Sequence, residues 1–64
     1  MMPDLQTPDL QIKVEKYELK AAQCEEWVRQ ATDGPQRVFY QVLADYYGQL
    51  AKDFRQVIAR RQAA

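Results

Sequence analysis

The hydrophobic positions in the first half of the chain recur with a helical spacing. Seven of them follow one another at intervals of 4, 3, 4, 3, 4 and 3: Leu10, Val14, Tyr17, Ala21, Cys24, Val28 and Ala31. This is the spacing of the a and d positions of a coiled coil, so it predicts one helix with a single packed seam. We predict that this helix spans residues 8–32, with Thr7 as its cap and Pro8 in its first turn.

Asp33, Gly34 and Pro35 interrupt this pattern. Gly34 can end a helix in the left-handed conformation. Asp33 can cap the helix that follows, with Gln36 reaching back to it in a capping box. We therefore predict a turn at residues 33–35, and a connection this short places two helices side by side and antiparallel.

The apolar residues of the second half form a wider set, which predicts a helix over residues 35–61. They are Val38, Phe39, Tyr40, Val42, Leu43, Ala44, Tyr46, Tyr47, Leu50, Ala51, Phe54, Val57 and Ile58. On a helical wheel most of them span an arc of roughly 160°, whereas a single partner helix covers a stripe of about 100°. The second helix is therefore expected to have two neighbours, of which the hairpin supplies one. Gly48 falls on the polar side of the wheel, where it indicates a close crossing, a bend or simple tolerance at an exposed position.

These patterns predict an all-α fold: a two-helix antiparallel hairpin over residues 8–62, after a tail at residues 1–7, that dimerises into a four-helix bundle. A chain of 64 residues is short for a stable core, because below about 70–80 residues one core rarely supplies more than 3–5 kcal/mol. One cysteine and no histidine leave neither an intrachain disulfide nor a Cys/His zinc site to add stability. The expected partner is therefore a second copy of the chain.

Charge and hydropathy narrow the possible partners. Nine basic and nine acidic residues balance, which argues against a surface for polyanions. The one basic cluster, Arg55, Arg60 and Arg61, suits the negative end of a helix dipole; the alternative is a nucleic-acid-associated regulator that uses this end. No apolar run approaches a membrane span, and the N-terminus has no signal-peptide pattern, so we expect a cytoplasmic protein without membrane contact.

Candidate chemistry is sparse. Cys24 is the one strong nucleophile, but the chain has no histidine to act as its base. Its place in the seam predicts a buried, structural thiol, with an intermolecular disulfide as the alternative. The acids Glu25 and Glu26 lie off the seam on a solvated face. We therefore predict no catalytic, cofactor-binding or metal-binding residue, and no enzyme activity.

The large apolar side chains are the best candidates for binding. Tyr46 and Tyr47 lie about 100° apart on a helix, so one can face the seam and the other an intermolecular contact. Trp27 lies off the middle of the seam, and Ile12 and Leu19 point away from it, towards another chain or a folded-back N-terminus. The interface candidates are Ile12, Leu19, Trp27, Tyr40, Tyr46, Tyr47, Phe54 and Ile58.

The function predicted from these features is that of a self-associating protein-interaction or adaptor module. Besides the nucleic-acid alternative, a monomeric hairpin with a ligand groove stays open.

Two segments, 17–33 and 43–51, also carry a resemblance. They are similar to short uncharacterised helical-hairpin proteins of alphaproteobacteria, which read Ala-x-x-Cys/Tyr before an Asp-Pro turn and Leu-Ala-x-x-Tyr/Trp-x-x-Leu-Ala after it. The chain departs from that pattern at Gly34, which separates Asp33 from Pro35, and at Val28, where alanine is usual. The resemblance implies a helical hairpin of bacterial origin and no particular activity.

Overall fold

The structure, a computed structural model, describes residues 7–63, with side chains from residue 8, and shows an antiparallel pair of helices. Helix α1 spans Thr7–Gln30 and helix α2 spans Gly34–Ala63. This confirms the predicted all-α hairpin. The predicted tail lies outside the described residues except for Thr7, which is the first residue of α1, and the capping hydroxyl of Thr7 also lies outside the described side chains.

The connection between the helices differs from the prediction at its N-terminal side. Helix α1 ends at Gln30, two residues before the predicted Thr32. The backbone N–H of Ala31 donates to the Val28 carbonyl at 3.3 Å, which tightens the last turn. The N–H of Thr32 then donates to the side-chain oxygen of Gln36 at 3.1 Å, so Thr32 lies in the turn and is hydrogen-bonded to the first turn of α2.

Asp33 caps α2 as predicted. Its carboxylate accepts a hydrogen bond from the Gln36 N–H at 2.7 Å, and its carbonyl accepts the first helical bond from Arg37. The reciprocal half of the capping box is different, because the Gln36 amide binds Thr32 instead of Asp33. The prediction of a left-handed Gly34 is wrong: Gly34 has no positive φ and is the first residue of α2, which therefore begins one residue before Pro35.

A single seam joins the two helices. All seven seam residues predicted for α1 are buried or half-buried. Their partners on α2 recur at the same 4–3 spacing and are Tyr40, Ala44, Tyr47, Ala51, Phe54 and Ile58. The middle of the seam is made of small side chains, since Cys24, Ala44 and Ala51 are buried there. Small residues at such positions let two helix backbones approach closely.

The rings of the seam all lie on one flank of the hairpin, which we call the aromatic flank. Tyr17 stacks between Tyr47 and Phe54, with ring centroids 6.0 and 5.8 Å apart. Nearer the turn, Trp27 packs against Tyr40 at 5.2 Å. These rings are partly open to solvent: the four seam rings are half-buried and Trp27 is 38% exposed.

The opposite flank is polar. Arg55 of α2 donates to the Glu18 carboxylate of α1 at 2.6 Å, an exposed ion pair worth at most about 1 kcal/mol. At the end of α1, Arg29 pairs with Glu26, three residues before it. The hydrogen bonds from Arg29 and Gln30 lower the pKa of Glu26.

Gly48 lies half-buried at the edge of the polar flank, on the polar side of α2 as the wheel predicts. A Cβ built at this position meets no atom within 4 Å, so no close helix crossing requires glycine there.

We therefore expect Gly48→Ala to stabilise the hairpin by about 0.5–1 kcal/mol, because alanine restricts the unfolded chain and favours the helix. Thermal unfolding followed by circular dichroism measures this change. Ala59→Gly, at an exposed position of the same helix, is the matched control and should lower stability by a similar amount. A lower melting temperature for Gly48→Ala would show that this backbone meets a surface outside the hairpin.

Candidate interaction surface

Helix α2 carries a second row of apolar residues beside its seam, which we call the lateral stripe. It consists of Phe39, Leu43, Tyr46, Leu50 and Val57. At 100° per residue the stripe lies about 90° around α2 from the seam, on the side of the aromatic flank. Phe39 and Tyr46 are each 59% exposed and Val57 is 40% exposed, while Leu43 and Leu50 are half-buried. Helix α1 therefore leaves this row largely uncovered.

The rings of the stripe rest on rings of the seam. Phe39 packs against Tyr40 and Tyr46 packs against Tyr47, both with centroids 5.4 Å apart and the planes steeply inclined. Edge-to-face contacts of this kind are favourable because the positive ring edge meets the negative ring face. The intrachain seam thus supports the orientation of the exposed rings before any partner is present.

A row of lysines borders the aromatic flank on the α1 side. The ammonium group of Lys16 lies 5.9 Å from the centroid of the Tyr17 ring, and that of Lys20 lies 5.7 Å from the centroid of the Tyr47 ring. Such cation–π contacts are worth about 0.5–1 kcal/mol at exposed sites. The apolar part of this flank is therefore concentrated on α2, and its α1 edge is basic.

The structure separates the aromatic interface candidates into exposed and seam residues. Tyr46 points outwards while Tyr47 stacks in the seam, which confirms that the two rings face different ways. Trp27 is 38% exposed. Tyr40 and Phe54 are half-buried seam residues. An intermolecular role for these rings stays a prediction.

Ile58 belongs to the intrachain core. It packs with Leu10 and Val14 in the one cluster of buried residues found in the described part of the chain. Its side chain therefore stabilises the hairpin itself and is not open to a partner.

The remaining candidates, Ile12 and Leu19, form a separate exposed pair on α1. Leu19 is 72% exposed, and the two residues lie one heptad apart on the side of α1 that faces away from α2. They share no surface with the lateral stripe. Within the described residues, this pair and the lateral stripe are therefore separate apolar patches.

Four residues of the lateral stripe were not among the predicted interface residues: Phe39, Leu43, Leu50 and Val57. Together with Tyr46 they form a second heptad pattern. Phe39 and Leu43 lie four residues apart, Tyr46 comes three residues later, and Leu50 and Val57 lie one heptad apart. This pattern is readable in the sequence. What the sequence does not show is that α1 packs on Tyr40 and Tyr47 and leaves this second row free.

The basic C-terminal end offers less to nucleic acid than its composition suggests. Arg55, one of its three arginines, is held by Glu18 across the polar flank. It therefore brings a carboxylate with it, which would repel phosphate.

The described part of the chain shows few other features that could support catalysis, metal binding or membrane insertion. Cys24 is 3% exposed and lies in the seam. No group of three acidic or thiol side chains among the described residues is arranged to hold a metal ion. Neither α1 nor α2 is long and apolar enough to cross a lipid bilayer.

Comparison of the chain with protein-family models, curated proteins and solved structures finds no match. The resemblance to alphaproteobacterial hairpin proteins therefore stays a prediction.

The burial of Cys24 leads to a prediction for its substitution. Cys24→Ala should cost about 1 kcal/mol, because it leaves a small cavity in the seam. Cys24→Ser is the matched variant and should cost more, since it buries a hydroxyl group in place of the thiol. Denaturant unfolding measures both. The native thiol should react slowly with a bulky maleimide, and rapid modification of the folded protein would contradict burial.

Proposed function

We propose that this chain is a small, non-enzymatic, cytoplasmic protein that self-associates and acts as a protein-interaction or adaptor module. The observation that carries the proposal is the lateral stripe, a row of apolar side chains on α2 that α1 leaves uncovered. Apolar rows on a helix surface are the usual anchors for a partner helix. In this proposal the first partner is another copy of the chain.

The small core supports association on energetic grounds. The buried apolar residues of the described part are Leu10, Val14, Cys24, Ala44, Ala51 and Ile58. Three of these have small side chains, so the area that they bury is limited. Ordering a chain of this length costs on the order of 100 kcal/mol, and a core this small does little more than offset it. A second interface adds buried apolar area to the folded state.

The composition of the exposed surface favours a protein partner over nucleic acid. The lateral stripe contains rings and aliphatic side chains, and Asp53, a carboxylate, occupies the gap before Val57 in its heptad pattern. Single-stranded nucleic acid binds to rings inside a basic groove. Here the lysines border the rings on one side only.

We expect the protein to be an oligomer at low micromolar concentration, most simply a dimer. Sedimentation equilibrium measures this directly. The melting temperature should also rise with protein concentration, because association stabilises the folded state by mass action. A stably folded monomer at low micromolar concentration would contradict the proposal.

Retention on immobilised nucleic acid separates the proposal from the nucleic-acid alternative. An interaction module that binds proteins should show no retention that falls with salt. Retention at low salt that disappears on Arg60→Ala, with the oligomer intact, would favour the alternative.

A further inference from the structure

We infer that the lateral stripe is the surface by which two copies of this chain associate, with α2 packed antiparallel against the partner's α2 around a two-fold axis near residue 48. The inference rests on the proposed self-association and identifies its surface. It also assigns the direction of the two helices.

The spacing of the stripe suits this arrangement. The heptad positions along it are 39, 43, 46, 50, 53 and 57, so their intervals are 4, 3, 4, 3 and 4 in either direction. A two-fold interface uses the same patch on both copies and needs such self-complementarity. In the antiparallel register Phe39 meets the partner's Val57, and Tyr46 meets the partner's Leu50. Every position of one stripe then has an opposite position on the other.

The charge of Asp53 distinguishes between parallel and antiparallel packing of the two α2 helices. Asp53 is the one charged residue among the six positions, and the Gln49 amide donates to its carboxylate at 3.0 Å. A parallel pair would place Asp53 against the partner's Asp53, and two carboxylates in contact repel each other. In the antiparallel pair Asp53 lies opposite the partner's Leu43, near the end of the interface. The single charge therefore disfavours the parallel arrangement.

The exposed area is sufficient for a specific dimer. Taking roughly 200 Å² for a ring and about 100 Å² for an aliphatic side chain, the stripe and the neighbouring Val42 leave roughly 400 Å² of apolar area open per copy. Two copies would bury about 800 Å² of it. Since interfaces are about 60% apolar, the total would be about 1,300 Å², which lies in the lower part of the range of stable interfaces.

Two other occupants fit the surface less well. Residues 1–6 span at most about 22 Å, even when fully extended. To reach the Phe39 end of the stripe from Thr7 they would have to extend about 30 Å along α1, as far as Trp27, which contacts α2 at Tyr40 beside Phe39. The segment thus cannot cover the whole stripe. Helix α1 of a second copy would bring Lys16 and Lys20 onto apolar side chains, which costs desolvation. The partner's stripe brings one charged group, Asp53, and places it near the end of the contact, so its penalty is smaller.

Substitutions on the stripe test the surface. Asp53→Leu completes the heptad pattern and should tighten the dimer at least tenfold. Its control is Asp45→Leu, because Asp45 is also exposed and accepts a 3.0 Å hydrogen bond from the glutamine four residues before it, but lies on another face of α2. Tyr46→Glu should weaken the dimer at least tenfold and leave the helical circular dichroism unchanged at high concentration. Leu19→Glu, on the other apolar patch, should leave the dimer unchanged.

Cysteine cross-linking tests the direction of the helices. In a Cys24→Ala background, the double variant Phe39→Cys/Val57→Cys should form a covalent dimer on mild oxidation. The two new thiols lie about 27 Å apart in one chain and cannot join within it. Each single variant should form little covalent dimer, because its thiol faces a valine or phenylalanine. Efficient cross-linking of a single variant would show a parallel pair and overturn the antiparallel assignment.

The outcomes separate this inference from the proposed function. A wild-type protein that is monomeric at every concentration overturns both. An oligomer that responds alike to Asp53→Leu and Asp45→Leu, and is insensitive to Tyr46→Glu, leaves self-association intact and overturns the stripe as its surface. Loss of the oligomer on Leu19→Glu, or on deletion of residues 1–6, would move the contact to the outer face of α1 or to the N-terminal segment and would equally overturn it.

Discussion

The close packing of small side chains in the middle of one helix–helix seam is the contact on which the rest of this structure depends. Cys24, Ala44 and Ala51 are buried where α1 and α2 meet. Small side chains at these positions let the two backbones approach closely, and the rings at other seam positions lie along one flank. The hairpin therefore has an aromatic flank and, opposite to it, a polar flank. The exposed rings of the lateral stripe, Phe39 and Tyr46, pack on Tyr40 and Tyr47 of the seam, so the packing of the seam also orients this exposed surface.

The pairing of the helices was predictable from the sequence, whereas their exact ends were not. A 4–3 spacing on α1 identifies a seam by periodicity alone, and all seven of its residues are buried or half-buried. The cap at Asp33 was also predictable, because its signal lies within four residues. The end of α1 was not, since it depends on whether the Gln36 amide binds Asp33 or Thr32. The pairing of Glu18 with Arg55 joins residues distant in sequence and depends on how each helix is rotated about its axis.

The sequence predicts that α2 has an uncovered apolar surface, but it does not predict where on the helix this surface lies. The wide apolar arc of α2 indicates that one neighbour cannot cover it, and the angle between Tyr46 and Tyr47 indicates that one ring stays outside. Periodicity alone does not show which part of the arc faces α1. Ile58 and Phe39 illustrate this: both lie within or near the arc, yet the first is in the core and the second is exposed. The small residues of α2 select the part of the arc that α1 contacts.

A dimer built on the lateral stripe would have a consequence for the second apolar patch. The stripe and the outer face of α1 do not overlap, so Ile12 and Leu19 would stay exposed in each copy. A two-fold axis between the α2 helices would place these two patches on separate sides of the assembly. Two identical sites on one particle bind a repeated or dimeric target more tightly than either site alone, because the second contact becomes intramolecular. In this arrangement, association through α2 would supply both the missing buried area and the bivalence that an adaptor uses.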